Sequence, residues 1–301
     1  MTGRLDSYLR DIRENLRLNP VAEQEIISEL ETHAEERLLE MKEAGLSEEE
    51  AAEECLGLLG SAKMVARQIY EAHSQGTWRQ ALLAALPHLF FALLCALRWW
   101  NIGWLPVALG VAVGIAIYGW CHGKPTWLFP WLGYSLLPVV ITGLLLLYLP
   151  SGWAWVTILL YVPLVLLLLS YIAIRVINSD WLYSALMMLP IPSLVGWFVV
   201  AKMEATPGGF NLKQFNEFAP WIGLSFLVLA VTVAIFIRIR QRRLKLVILS
   251  LSGVLSLIIV ASAGTLRFPA MLALFLLMFA LLLVPAFLDH WMRQGSHPAT
   301  T

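Results

Sequence analysis

Charge is scarce in this chain. Only 14% of its 301 residues are Asp, Glu, Lys or Arg, against 59% apolar residues, where a soluble domain carries about 25% and about 45–50%. With a mean hydropathy of +0.71, the chain is too apolar to keep most of its length in water. Cysteine is also sparse. Cys55, Cys95 and Cys121 show no CxxC or other ligand spacing, which excludes a disulfide framework and a zinc knuckle. No GxSxG, Walker loop or Gly-rich phosphate cradle occurs, and no histidine pair has HExxH spacing, so an enzyme is disfavoured and no catalytic, cofactor or metal residues are assigned. The first 77 residues lack an apolar run of the length a cleavable signal needs. The first membrane helix is therefore expected to direct insertion.

The formal charge of zero hides an asymmetry. Residues 1–78 carry 17 acidic and 8 basic side chains, a net of −9, and the remainder carry 4 and 13, a net of +9. That split separates a segment in water from a segment in lipid. The acidic segment is patterned as four helices. Leu5, Leu9, Ile12 and Leu16 form the apolar stripe of the first. Asn19-Pro20 opens the second, with Ile27, Leu30, Ala34, Leu38 and Met41 inward and Gly45 as a left-handed cap. Ser47 with Glu50 is a capping box for the third, and Ser61 caps the fourth. Local signals agree throughout, which is the mark of a folded unit rather than a disordered acidic tail.

Some of these residues form a pattern of their own: Leu9…Leu16…Glu29-Leu30-Glu31…His33…Glu36, then Gly45-Leu46-Ser47-x-x-Glu50-Ala51, then Leu58-Leu59-Gly60-Ser61. It resembles the HAAS domain, a helix-turn-helix-associated alpha-helical signalling domain related to the permease prefix domain. The resemblance covers residues 1–75, about a quarter of the chain. It implies a cytosolic module on a bacterial membrane protein that relays a signal to a helix-turn-helix transcriptional regulator of the PadR type. Residues 76–294 resemble no transporter or enzyme family.

Hydropathy places eight membrane spans near 79–97, 103–121, 127–149, 153–174, 181–201, 219–237, 246–264 and 269–288. The expected fold is thus all-α: a small N-terminal cytosolic four-helix domain (1–75), a polytopic bundle of about eight transmembrane helices (76–294), and a disordered tail (295–301). With both termini in the cytoplasm, nine Lys and Arg fall on inner turns and flanks and four on outer ones, as the positive-inside rule requires of an inner-membrane protein. The RIRQRRLK run at 238–245 is the strongest anchor, and its position between two spans assigns it to topology and lipid contact rather than to direct nucleic-acid binding. Many of the 13 tryptophans lie near span ends, as an aromatic belt does.

Four sets of residues are candidates for function. His88, within the first span beside Pro87, is an ionisable group at membrane depth; the alternative is a neutral ring bonded to a neighbouring helix or to backbone that Pro87 frees. Pro190 and Pro192 bracket the middle of the fifth span and mark a bent element; a static kink explains them as well. On the second helix Glu29, Glu36, Glu40 and Glu43 share a side away from the apolar stripe, either as an ordinary solvated face or as a docking face for a basic partner such as a winged-helix regulator. Arg175 and Asp180 flank one inner turn as a surface ion pair or a gate latch. The expectation is a membrane sensor that signals through its head, with a transporter component or a structural scaffold as alternatives.

Overall fold

A computed structural model describes residues 3–16, 18, 20–98, 104–123, 125–146, 180–204, 216–264 and 266–295, with isolated positions between 159 and 171. All regular structure among them is helical. The expected fourth span (153–174), Arg175, the middle of the outer segment 202–218 and the tail beyond residue 295 lie largely or wholly outside the described residues. The chain divides into two compact units, Met1–Gln75 with Arg240–Arg242, and Gly76–Ile239 with Arg243–Thr301.

The first unit holds α1 (Gly3–Asn15), α2 (Pro20–Glu43), α3 (Glu48–Leu59) and α4 (Ala62–His73). The stripe of α1 is buried as expected, Ile12 and Leu16 against Ile27, Ala66 and Tyr70, and Leu5 and Leu9 against Ala34. Gly45 turns at φ +98° after α2, and Gly60 at φ +81° after α3, conformations that suit a residue without Cβ. The Ser47–Glu50 capping box is formed in both directions, and Ser61 accepts from Met64 N–H. The Tyr8 hydroxyl donates to the Gly60 carbonyl across 3.0 Å, fastening α1 to the α3–α4 turn. Burial raises the Tyr8 pKa. Ser74 Oγ donates to the Arg240 carbonyl at 3.0 Å, and the Arg240 guanidinium donates to Gln75 Oε1 at 2.6 Å.

The second unit holds α5 (Trp78–Ala96), α6 (Trp104–Cys121), α7 (Leu128–Leu146), α8 (Trp181–Met188), α9 (Pro190–Glu204), α10 (Ala219–Arg238), α11 (Arg242–Ala263, whose first residue clusters with the first unit) and α12 (Phe268–Gly295). Five stretches are long and apolar enough to cross a membrane: Trp78–Ala96, Trp181–Ala201, Ala219–Arg238, Arg242–Ala263 and Phe268–Asp289. Two shorter apolar stretches, Gly110–Cys121 and Leu128–Ile141, lie in α6 and α7. Described helices therefore stand at seven of the eight expected spans, five of them at full membrane length.

Burial ranks the spans. The Trp181–Ala201 span is 89% buried, Phe268–Asp289 only 17%, so the former is the axis of the unit and the latter faces outward along most of its surface. The axial span is two helices, because Pro190 cannot donate to Leu186. The Leu186 carbonyl instead takes the Leu189 N–H at 3.3 Å in a tightened turn, and α9 restarts with Pro190 at its first position. Pro190 and Pro192 are both buried at this break. Around the axis, α9 is held by hydroxyl groups, Ser193 bonding to Ser256 of α11 and the Trp197 indole donating to Ser225 of α10 at 3.1 Å. Such interhelical bonds and close small-residue contacts replace the hydrophobic drive that lipid removes. Among the described glycines the tightest approach is at Gly133 of α7, where a Cβ would lie 2.2 Å from the Met187 carbonyl of α8.

Candidate functional site

On α5 the buried residues Ala81, Ala84, Ala85, His88, Ala92 and Cys95 recur at helical spacing. This seam of small side chains lets α10 approach closely: a Cβ on Gly223 would stand 3.1 Å from the Ala92 carbonyl. His88 interrupts the seam. It is fully buried, and its ring meets Tyr134 of α7 edge to face, centroids 4.9 Å apart. Phe91 and Phe226 complete the cluster, their rings 4.4 Å apart.

The backbone freed by Pro87 is not what His88 serves. The carbonyl that loses its partner is Leu83, and the Trp131 indole of α7 donates to it at 2.9 Å. Neither ring nitrogen of His88 has a hydrogen-bond partner among the described residues, nor does the Tyr134 hydroxyl. The pair thus holds unused donor and acceptor capacity beside a membrane-length helix, which buried polar groups seldom do. No three His, Cys, Asp or Glu residues converge as a metal site among the described residues.

A second polar centre lies where α8 and α11 begin, and hydropathy alone does not reveal it. Asp180 is not the surface residue expected of an ion pair with Arg175. It is 1% exposed, and its carboxylate caps α8 by accepting the Leu182 N–H at 3.2 Å. Tyr183 follows one turn later, its backbone N–H bonded to the Asp180 carbonyl. Lys245, expected in a basic turn that sets topology and touches lipid, is a first-turn residue of α11 with no exposed surface. Its ammonium stands 5.7 Å from the Tyr183 ring centroid and 5.2 Å from that of Phe236. The irregular turn between α10 and α11 covers only residues 239–241. A buried ammonium over two aromatic faces gains cation–π attraction that partly offsets desolvation. The signal for it was the spacing Lys245, Leu249, Ser252, Ser256, Val260, one buried face of α11 rich in small polar residues.

On α10, Arg238 lies 4.6 Å above the Trp78 ring and donates to the Gly76 carbonyl at 2.9 Å, while Gly76 N–H donates to the Ile237 carbonyl at 2.9 Å. A Cβ at Gly76 would meet Ile237 Cγ2 at 2.4 Å, so the segment entering α5 needs glycine there.

In the first unit Glu29, Glu36, Glu40 and Glu43 are all exposed. Two have neighbours of opposite type on their own helix: Glu36 lies 3.5 Å from His33, and Glu40 accepts from Arg37 at 2.9 Å. All three cysteines are free thiols, Cys55 and Cys95 buried and Cys121 exposed.

These features define a helical protein with several membrane-length helices, a polar seam at His88 and a buried cation at Lys245. Comparison with protein-family models, with curated proteins and with solved structures finds no match to this chain.

Proposed function

We infer that this chain is a non-enzymatic regulator in the cell's inner membrane, both termini in the cytoplasm, whose bundle answers an envelope condition or a membrane-partitioned compound. Its acidic head passes the change to a cytosolic partner, which the HAAS resemblance implies is a PadR-type helix-turn-helix regulator. The observation that supports it best is one of connectivity. Arg240–Arg242 lies between two membrane-length helices in sequence, yet clusters with residues 1–75. The chain therefore passes between the two units three times, and a shift of α5, α10 or α11 is transmitted covalently to the acidic unit. A relay of this kind needs two bundle packings separated by a few kcal/mol, and a partner that prefers the head as it stands in one of them. The test is crosslinking capture from native membranes, comparing the whole protein with one lacking residues 1–75. A helix-turn-helix regulator captured only by the whole protein supports the relay; partners indifferent to the deletion refute it.

Buried charge favours a second reading, a transporter or permease component. Lys245, Asp180 and Asp289 are buried in a unit otherwise poor in charge, and such residues mark solute or ion paths. Captured ATPase subunits, or solute flux in proteoliposomes abolished by Lys245→Met, would replace the relay with transport.

A further inference from the structure

A cavity of about 200 Å³ opens on the head between α1, α2 and the start of α3. Leu5, Leu38 and Leu39 supply its apolar surface, and Asp6, Glu31 and Glu35 its rim. Lys42 and Glu48 also line it, the Lys42 ammonium lying 3.5 Å from the Glu48 carboxylate. Leu39 is 61% exposed, which leaves a large aliphatic side chain in water beside a half-buried one, Leu38. Among the described residues Asp6, Glu31 and Glu35 form no ion pair, in contrast to Glu36 and Glu40.

The register of α2 explains the difference. Glu31, Glu35, Leu38, Leu39 and Lys42 fall at i, i+4, i+7, i+8 and i+11, on the flank that borders α1. Glu29, Glu36, Glu40 and Glu43 do not line the cavity; of its leucines only Leu39 borders them, three residues after Glu36 and four before Glu43. Their side has no cavity of its own among the described residues. The flank offers charge around an apolar floor, and the cavity is smaller than the about 300–1,000 Å³ of small-molecule pockets. Its size suits side chains projecting from a partner.

We propose that this groove docks a basic amphipathic helix, inserting one or two aliphatic side chains over Leu38 and Leu39 while its Lys or Arg residues meet Asp6, Glu31 and Glu35. Charge selects the occupant. Residues 1–78 carry a net of −9, so a second copy of the head is repelled and a basic segment attracted. The proposal rests on the relay and names the surface and partner chemistry through which the relay leaves the membrane.

The experiment uses the full chain in phosphatidylcholine nanodiscs, which give a basic peptide no anionic lipid to bind. The probe is a fluorescent helix of Leu and Lys about 15 residues long, followed by anisotropy. Wild type binds it, and Glu31→Gln with Glu35→Gln weakens binding about fivefold to tenfold. Glu29→Gln with Glu36→Gln removes the same charge from the far side and changes it less than about twofold. Leu39→Ser weakens binding too, and its effect persists in high salt while the glutamate effect fades. Equal losses from the two glutamate pairs, an indifferent Leu39→Ser, or no binding to wild type overturns the proposal. So does self-association that the peptide competes away, which would seat a second copy in the groove. The relay fails separately. A native partner captured through residues 1–75 but indifferent to Glu31, Glu35 and Leu39 sinks the groove alone, whereas one indifferent to residues 1–75 sinks the relay.

Discussion

Replacing Gly133 by alanine should be the most damaging single-methyl change in the molecule. The added carbon would stand 2.2 Å from the Met187 carbonyl oxygen and 3.2 Å from its carbon. Ordinary contact begins near 3.4 Å, so α7 and α8 must separate by about 1 Å. Nothing flexible lies in the way to yield. The obstructing atom is backbone, one residue before α8 ends and two before the Leu189 turn, and both helices are buried there. Overpacking of this type costs about 2–3 kcal/mol, or about 5–10 °C in melting temperature for a unit of this size. Two other glycines calibrate the scale. At Gly253 the nearest atom is Met278 Sδ at 2.5 Å, the end of a side chain with several rotatable bonds, so alanine should cost under about 1 kcal/mol. At Gly114 nothing lies within 4 Å, and alanine should be neutral or gain up to about 1 kcal/mol of helix propensity. Thermal unfolding of the detergent-solubilised protein, followed by tryptophan fluorescence, gives the order directly. If Gly133→Ala melts with Gly114→Ala, the contact between α7 and α8 does not exist as described.

Other substitutions probe the remaining features. Trp131→Phe strips the Leu83 carbonyl of its donor and should cost about 1–2 kcal/mol; in a Pro87→Ala background, where residue 87 regains its N–H, thermal melts should show most of that cost gone. Lys245→Met and Asp180→Asn should each destabilise the bundle, and the double variant should fall short of their sum by about 1 kcal/mol or more in the same assay; strict additivity would mean the two charges do not sense each other. Gly76→Ala pushes against Ile237 and should break the bond from Gly76 N–H to the Ile237 carbonyl, read as faster hydrogen exchange at residue 76 with α1–α4 unchanged. Hydrogen bonds from Ser47 hold the Glu50 pKa below its ordinary value of 4.5. A depressed carboxyl stabilises the fold above its unfolded pKa and loses that contribution as pH falls through its folded one, so carbon-detected NMR should see Glu50 titrate low and return toward the ordinary range in Ser47→Ala.

Local chemistry made the head legible in the sequence. Ser47, Glu50, Gly45, Gly60 and Ser61 each state a helix end in a few adjacent residues, and the apolar spacing of α1 and α2 selects the buried face without knowledge of the partner. Membrane-length helices were legible for a similar reason, since hydropathy averages over a window and needs no neighbours. The same averaging conceals Lys245. Five cations fall between 238 and 245, and only the helical register that Lys245 shares with Leu249, Ser252, Ser256 and Val260 separates it from the others; what it meets depends on where Tyr183 and Phe236 arrive. His88 was visible as an ionisable residue in a span, but Trp131, which takes the carbonyl that Pro87 frees, comes from another helix. The groove on the head was unreadable because its walls belong to α1 and α2, and its floor exists only when they pack. The glutamates of α2 are alike in sequence and differ only in what lies beside them.

The burial of the Trp181–Ala201 span bears on how the protein is made. A nascent chain enters the bilayer from its N-terminus, so this span arrives before α10, α11 and α12 have been synthesised. For that interval the helix broken at Leu189, with its serines and its buried prolines, has only earlier helices and lipid for company. The hydroxyls of Ser193 and the indole of Trp197 then lack Ser256 and Ser225, which follow about 30 to 60 residues later. The core of this bundle is therefore its least finished part during biogenesis, made before the residues that complete its hydrogen bonds.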